Sequence, residues 1–201
     1  MGTRTQEELL RQLVIRAREG DKRSYGKIFR LCYKDIYDYV IRRVGNRSDA
    51  EDLTMQVFMQ GLKSVSSYEE RGHSVKAWLY RIAHNAVVDH LRARRQSFEL
   101  DEVQEAAADT DVLADLLARE DIGRVYGEVA DLPPAQAEVL ILRFMEDMSV
   151  SETAMILDKK EVTVRALQFK GIKNLRKRME GKEQADEGPE QQGDGEMKKP
   201  R

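Results

Sequence analysis

Two aromatic rings and a run of cations carry the clearest chemistry in this chain. Residues 76–91 read KAWLYRIAHNAVVDHL, and RARR follows at once. Trp78 and Tyr80 offer faces on which a nucleobase can stack. Asn85 can hydrogen-bond the edge of a splayed base. Lys76, Arg81, Arg92, Arg94 and Arg95 supply the positive charge that a phosphate backbone requires. At helical spacing Leu79, Ile82, Ala83 and Ala86 make the apolar stripe, with Tyr80, His84 and Asn85 nearer the polar side. As a lone tryptophan, Trp78 is expected to join the core. His73 and Ser74, just before the helix, are placed to reach DNA. A solvated amphipathic helix has the same pattern, so this stretch alone leaves both readings open.

A second basic block has different chemistry. Ser149 and Glu152 form a capping box that opens a short helix ending near Leu157. Asp158-Lys159-Lys160 reads as a tight turn, and a longer helix follows to about Arg178. Ala154 is small, as a close helix crossing requires. Val164 and Leu167 face back to the first helix. This is helix-turn-helix spacing, with the second helix free to enter a major groove. Its outward positions are Lys160, Glu161, Arg165, Ala166 and Phe169. Arg165 can donate two hydrogen bonds to a guanine edge. Lys170, Lys173, Arg176 and Lys177 can hold phosphates. An ordinary helical hairpin with a basic face is the bland alternative.

These sites need elements to position them, and almost every periodic stretch is helical. Leu9, Leu10, Leu13, Val14 and Ala17 form one stripe. A helix from about Ser24 to Val44 buries Tyr25, Ile28, Phe29, Cys32, Ile36 and Val40, and Gly45-Asn46 stops it. Ser48, with Glu51, is expected to cap the next helix, which ends near Ser64. That helix is apolar on two sides: Ala50, Leu53, Val57 and Gly61 on one, Met55, Phe58, Met59 and Leu62 on the other. Such a helix is buried or offers one side to a partner, and methionines suit an adaptable partner surface. Helix returns near Asp111. Leu132-Pro133-Pro134 breaks it and starts another. No strand or hairpin signal appears, so the expected fold is all-α.

Charge divides the 201 residues into blocks. Residues 1–96 carry 19 Lys+Arg against 12 Asp+Glu, whereas residues 97–132 carry 2 against 11. Residues 133–180 return to 9 against 7. Two basic modules joined by an acidic connector suit polyanion partners. From Ser97 to about Ala114 the connector, extended, spans at most roughly 60 Å, and one duplex turn is about 34 Å. The modules can therefore occupy sites a turn or two apart. The last residues, 181–201, have too little apolar surface to fold and read as a disordered tail.

Together these residues resemble a sigma factor of the small extracytoplasmic-function (ECF) group in the sigma-70 family. DAEDLTMQVF resembles the family's helix that docks on the β′ clamp of RNA polymerase. AWLYRIAHNAVVDHLRARR resembles its promoter-melting, −10-reading segment. The stretch from Leu132 to Met179 resembles region 4, which reads the −35 element. The resemblance implies region 2 over residues 1–96, a linker over 97–114, region 4 over 115–180 and the tail beyond. It implies polymerase docking by Asp49, Asp52, Leu53 and Phe58. Met55 and Gln56 belong to the same surface, although the family usually has Gln then Glu there. It places the −10 site on His73, Ser74, Lys76, Trp78, Tyr80, Asn85, Asp89 and Arg92, and the −35 site on Lys160, Glu161, Arg165, Ala166, Phe169 and Lys170. The family often has Gly where Asp158 stands, and KKEV and Gln168 are unusual, so a −35 preference does not carry over. In the family the segment equivalent to the linker threads polymerase channels that otherwise hold nucleic acid.

The implied partners are core polymerase (β′ clamp and β subunit), promoter DNA and an anti-sigma factor. The alternative is a stand-alone helix-turn-helix regulator with an N-terminal dimerisation or sensing domain. An enzyme is poorly supported. His73, His84 and His90 are the only histidines and form no metal motif, and no phosphate loop or nucleophile elbow appears. The single cysteine, Cys32, excludes an internal disulfide. No apolar run approaches a membrane span and no secretory signal opens the chain, so a cytoplasmic protein without cofactor or metal is expected.

Overall fold

The computed structural model describes residues 2–69, 72–100 and 127–186. The N-terminal module contains α1 (Gly2–Arg18), α2 (Lys22–Val44), α3 (Arg47–Ser64) and α4 (Val75–Leu100), with a 3-10 turn at Val65–Ser67. The C-terminal module contains α5 (Pro134–Leu140), which continues into a π-helical turn at Ile141–Met145. It ends with α6 (Val150–Ile156) and α7 (Glu161–Asp186). The described residues contain no strand, as the sequence predicts.

The helix boundaries follow from their caps. Asp21 accepts from the backbone N–H of Arg23 and Ser24, starting α2 just ahead of the expected Ser24. Gly45 ends that helix in the left-handed region, at φ 69°. Ser48 does not cap α3. Asn46 does so instead, its side chain accepting from Asp49 N–H at 3.0 Å. The reason is local: Asn46 is extended immediately after the left-handed glycine, so one Gly-Asn pair both stops and restarts the chain. Helix α4 runs to Leu100 and so takes in residues 97–100, which the charge pattern assigns to the linker. Likewise α7 continues to Asp186, so residues 181–186 are helical and not tail. The rest of the linker, the helix expected near Asp111 and the tail beyond 186 lie outside the described residues.

In the first module Ile28, Ile36, Tyr39 and Val40 of α2 are fully enclosed, facing Leu10, Leu13 and Val14 of α1 and Val57 of α3. Cys32 is enclosed with them, and burial pushes its thiol up to about 12. Gly61 permits the closest approach. A Cβ there would run into the Tyr25 hydroxyl, which donates to the Phe58 carbonyl at 2.6 Å. The second module is built on Val139, Leu142, Ile156 and Val164. Gly171 lets α7 cross α5, since a Cβ there would lie 3.1 Å from the Leu140 side chain. Helix α6 packs against α4, which brings the two modules together.

Candidate nucleic-acid and polymerase interfaces

At 100° per residue, Trp78, Arg81, Asn85, Asp89 and Arg92 lie within about 80° of one another on α4. Arg81, Asn85, Asp89 and Arg92 are exposed, and Trp78 is half-buried, its ring edge-on to Tyr68 at 5.1 Å. The stripe ends at a cavity of about 250 Å³ lined by His73, Ser74, Trp78, Arg81, Tyr68 and Met155, among others. Trp78 is thus neither wholly in the core nor free: one part of the indole packs and another lines the cavity.

Tyr80 lies elsewhere. It is 1% exposed, packs edge-on against Tyr39, and donates its hydroxyl to Glu146. The expectation that it shares the polar side with Asn85 fails on helix geometry, because five residues turn the chain by about 140°. Lys76 is paired with Asp35 at 2.5 Å, and His84 is half-buried on the Tyr80 face. Helix α4 therefore has two polar faces, and the sequence reading merged them.

Helix α3 separates in the same way. Leu53 and Phe58 point inward, Phe58 meeting Phe29 edge-on at 4.8 Å, so neither offers itself directly to a partner. Met55, Met59 and Leu62 remain 50%, 53% and 42% exposed. Asp52, Met55 and Gln56 line a shallow groove with Met59, Gln60 and Lys63. The last three extend the expected docking surface; the second apolar stripe of α3 was the signal for Met59, and periodicity gave none for Gln60 and Lys63. Asp49 sits in the first turn, 3.6 Å from His90 Nε2.

The helix-turn-helix forms as its spacing predicts. Ser149 and Glu152 complete the capping box of α6. Asp158 turns the chain at φ 51°. Lys160, Glu161, Arg165, Ala166, Phe169 and Lys170 are all exposed on α7. Arg165 is held by Glu161 at 2.8 Å, one turn earlier. Phe169 and Phe144 are 72% and 59% exposed, and nothing in the periodicity singled out Phe144. Arg143 donates to Gln168 at 3.1 Å and ties the π turn to α7.

Residues 28–97 match the family described as Sigma-70 region 2, and residues 129–177 match Sigma-70, region 4. The chain belongs to the sigma-70 family, in its ECF group. The ECF RNA polymerase sigma factor BldN of Streptomyces coelicolor is 31% identical over 170 residues, covering 82% of this chain and 63% of BldN. SigX of Bacillus subtilis, another ECF RNA polymerase sigma factor, is 30% identical over 166 residues, covering 78% of this chain and 84% of SigX. Among solved structures, CnrH in complex with the cytosolic domain of CnrY has the same fold, with TM-score 0.63, 20% identity, and coverage of 86% and 98%. So does the sigma factor RpoE in complex with the anti-sigma factor NepR from Bartonella quintana, with TM-score 0.62, 18% identity, and coverage of 78% and 96%.

Within this sigma factor, regions 2 and 4 meet through three glutamates. Glu138 on α5 lies 2.6 Å from Arg43 and 2.7 Å from His84 Nδ1. Burial alone would raise the Glu138 carboxyl. The His84 hydrogen bond and the Arg43 charge outweigh it and hold the group below its ordinary range. Glu146 pairs with Arg42 at 3.1 Å and accepts from Tyr80. Here burial wins and the carboxyl is raised, despite the Tyr80 bond and Arg42. Glu152 accepts from Ser74 N–H at 3.0 Å and Ser74 Oγ at 2.5 Å. Burial opposes these bonds, but with the Ser149 bonds they hold Glu152 down. Arg42, Arg43, Glu138 and Glu146 were not marked by the sequence, and Glu152 was marked only as a capping residue, because partners 54 to 104 residues apart leave no local pattern.

Proposed function

We propose that this chain binds core RNA polymerase and directs it to promoters carrying −10 and −35 elements. Catalysis stays with the polymerase; the chain supplies specificity and the first step of melting, and it acts in the cytoplasm. No helix among the described residues is long and apolar enough to cross a membrane. The observation that carries the proposal is the pairing of two surfaces in one family member. An exposed methionine groove on α3 stands ready for a protein partner, and a cationic stripe on α4 leads into a cavity beside Trp78.

In this reading Met55, Met59 and Gln56 dock on the clamp, with Asp49 and Asp52 at the edge. Leu53 and Phe58 act from beneath, by shaping the helix. Arg81 and Arg92 follow the non-template strand, Asn85 reads a base, and His73, Ser74 and Trp78 line the cavity that receives it. Charge holds the strand and stacking holds the base. Arg165 and Lys170 of α7 read the −35 major groove, with Lys160, Glu161, Ala166 and Phe169 shaping the contact. An anti-sigma partner belongs to the same proposal, on the precedent of RpoE with NepR.

Co-purification with core polymerase and run-off transcription from a random promoter library test this together. The native chain is expected to recover a two-part motif. Met55→Glu with Met59→Glu should abolish co-purification. Asn85→Ala should retain it and lose open complexes. Arg165→Ala should lose about 1–3 kcal/mol of discrimination at one upstream base pair. Tight, specific duplex binding without polymerase would instead identify the stand-alone regulator.

A further inference from the structure

Helix α7 meets its own module along one side. Val164 is fully buried, Leu167, Gln168 and Leu175 are half-buried, and Gly171 lies against Leu140. At 100° per residue these positions cluster on the side opposite Val162. Val162 is 69% exposed and marks the centre of the outward side. Ala166 and Phe169 lie within about 40° of it, and both are exposed. Arg165 and Lys170 flank them, about 60° to one side and 80° to the other, and Glu161 holds Arg165 at 2.8 Å. Val162, Ala166 and Phe169 therefore form an apolar line between cations, about 10 Å long.

Scattered exposed apolar residues are ordinary, but three in register at the open end of a basic helix are not scattered. Nothing local favours valine in this first turn, since it is a poorer helix former than alanine and here gains little burial. The flanking cations suit a phosphate backbone. The apolar line suits something within the groove. A major groove presents polar edges at every base pair and one apolar group, the C5 methyl of thymine.

We propose that Val162 is a specificity-determining residue that packs on a thymine methyl of the −35 element, with Ala166 and Phe169 continuing the apolar line along the groove. This role rests on the promoter-binding reading of α7. It adds a selection that the polar positions do not make: Arg165 selects by hydrogen bonds to a guanine edge, whereas Val162 selects by apolar contact alone.

The test uses the full chain with core RNA polymerase. The upstream motif recovered from the random promoter library should contain a thymine at which deoxyuridine, which lacks only the C5 methyl, lowers open-complex yield. The loss should be about fourfold, the worth of one buried methyl-sized group. Val162→Ala should show a similar loss on the thymine promoter and no further loss when that thymine becomes deoxyuridine. Effects of the missing methyl on the duplex itself occur in both backgrounds and cancel in the comparison. Alanine is the better helix former and the position is exposed, so native helicity and co-purification with polymerase should be retained.

A deoxyuridine penalty that persists undiminished in Val162→Ala at every upstream thymine overturns the role of Val162. So does a loss in Val162→Ala that is equal for all upstream sequences. A two-part motif in which no thymine needs its methyl overturns this role alone and leaves the promoter reading standing. Failure to recover any upstream motif overturns both.

Discussion

Three glutamates in one interface carry opposite charges of meaning. Glu138 is held below the ordinary carboxyl range and Glu146 above it. A lowered carboxyl gives stability that is present above its unfolded value and lost as pH falls through the folded one. Glu138 therefore contributes at neutral pH. A raised carboxyl works the other way: its buried charge is disfavoured, and that penalty grows as pH rises through the folded value. Glu146 is then a net cost at pH 7 that a neutral isostere removes. Glu138→Gln should lower the melting temperature at pH 7. Glu146→Gln should leave it unchanged or raise it, and should lose that advantage near pH 4, where the native carboxyl is itself protonated. Thermal scans at the two pH values check both signs. A fall in stability for both variants at pH 7 would contradict the assignment.

Individual helices show how much of the fold was legible. Their existence, their type and the outward face of α7 follow from local periodicity. Two of the faces were misjudged for different reasons. Tyr80 and Asn85 looked alike because amphipathic analysis sorts residues into apolar and polar, while α4 has two polar faces with different neighbours. Phe58 was placed with Met55 and Met59, yet Phe29, Tyr33 and Tyr37 form an aromatic cluster that receives it. The tight seam between α2 and α3 depends on Gly61, whose role only the fold displays. Gly61→Ala adds helix propensity of about 1 kcal/mol but collides with a hydrogen-bonded Tyr25, and overpacking costs about 1–3 kcal/mol. Net destabilisation is expected by denaturant titration, and much less of it in a Tyr25→Phe background, which removes the obstructing hydroxyl. Equal losses in both backgrounds would remove the steric explanation. In the turn before α7 the prediction has the opposite sign. Asp158 holds φ at 51°, a region glycine enters without a Cβ penalty. Asp158→Gly should stabilise the chain by up to about 1 kcal/mol, visible as a higher denaturant midpoint.

At the scale of the molecule, regions 2 and 4 were legible as modules but their meeting was not. Each module's periodicity is complete without the other, and the hydrogen-bonded pairs between them use polar side chains that read as solvated charge in the sequence. An apolar seam would fuse the modules permanently, whereas charge-assisted hydrogen bonds hold at low salt and yield to competing donors. Such an interface couples the unfolding of the two modules only while it is closed. Calorimetry of the full chain at low salt should therefore show one cooperative transition. E138Q/E152Q should split it in two, with region 4 melting first, since its core rests on short α5 and α6 and loses the support of α4. Raising salt should move the native chain toward the split profile without matching it, because the Glu138 pairs are largely buried, with side-chain exposures of 14–19%, and Debye screening acts most strongly on exposed charges. Two independent transitions in the native chain at low salt, unmoved by the substitutions, would show that the modules unfold without sensing each other.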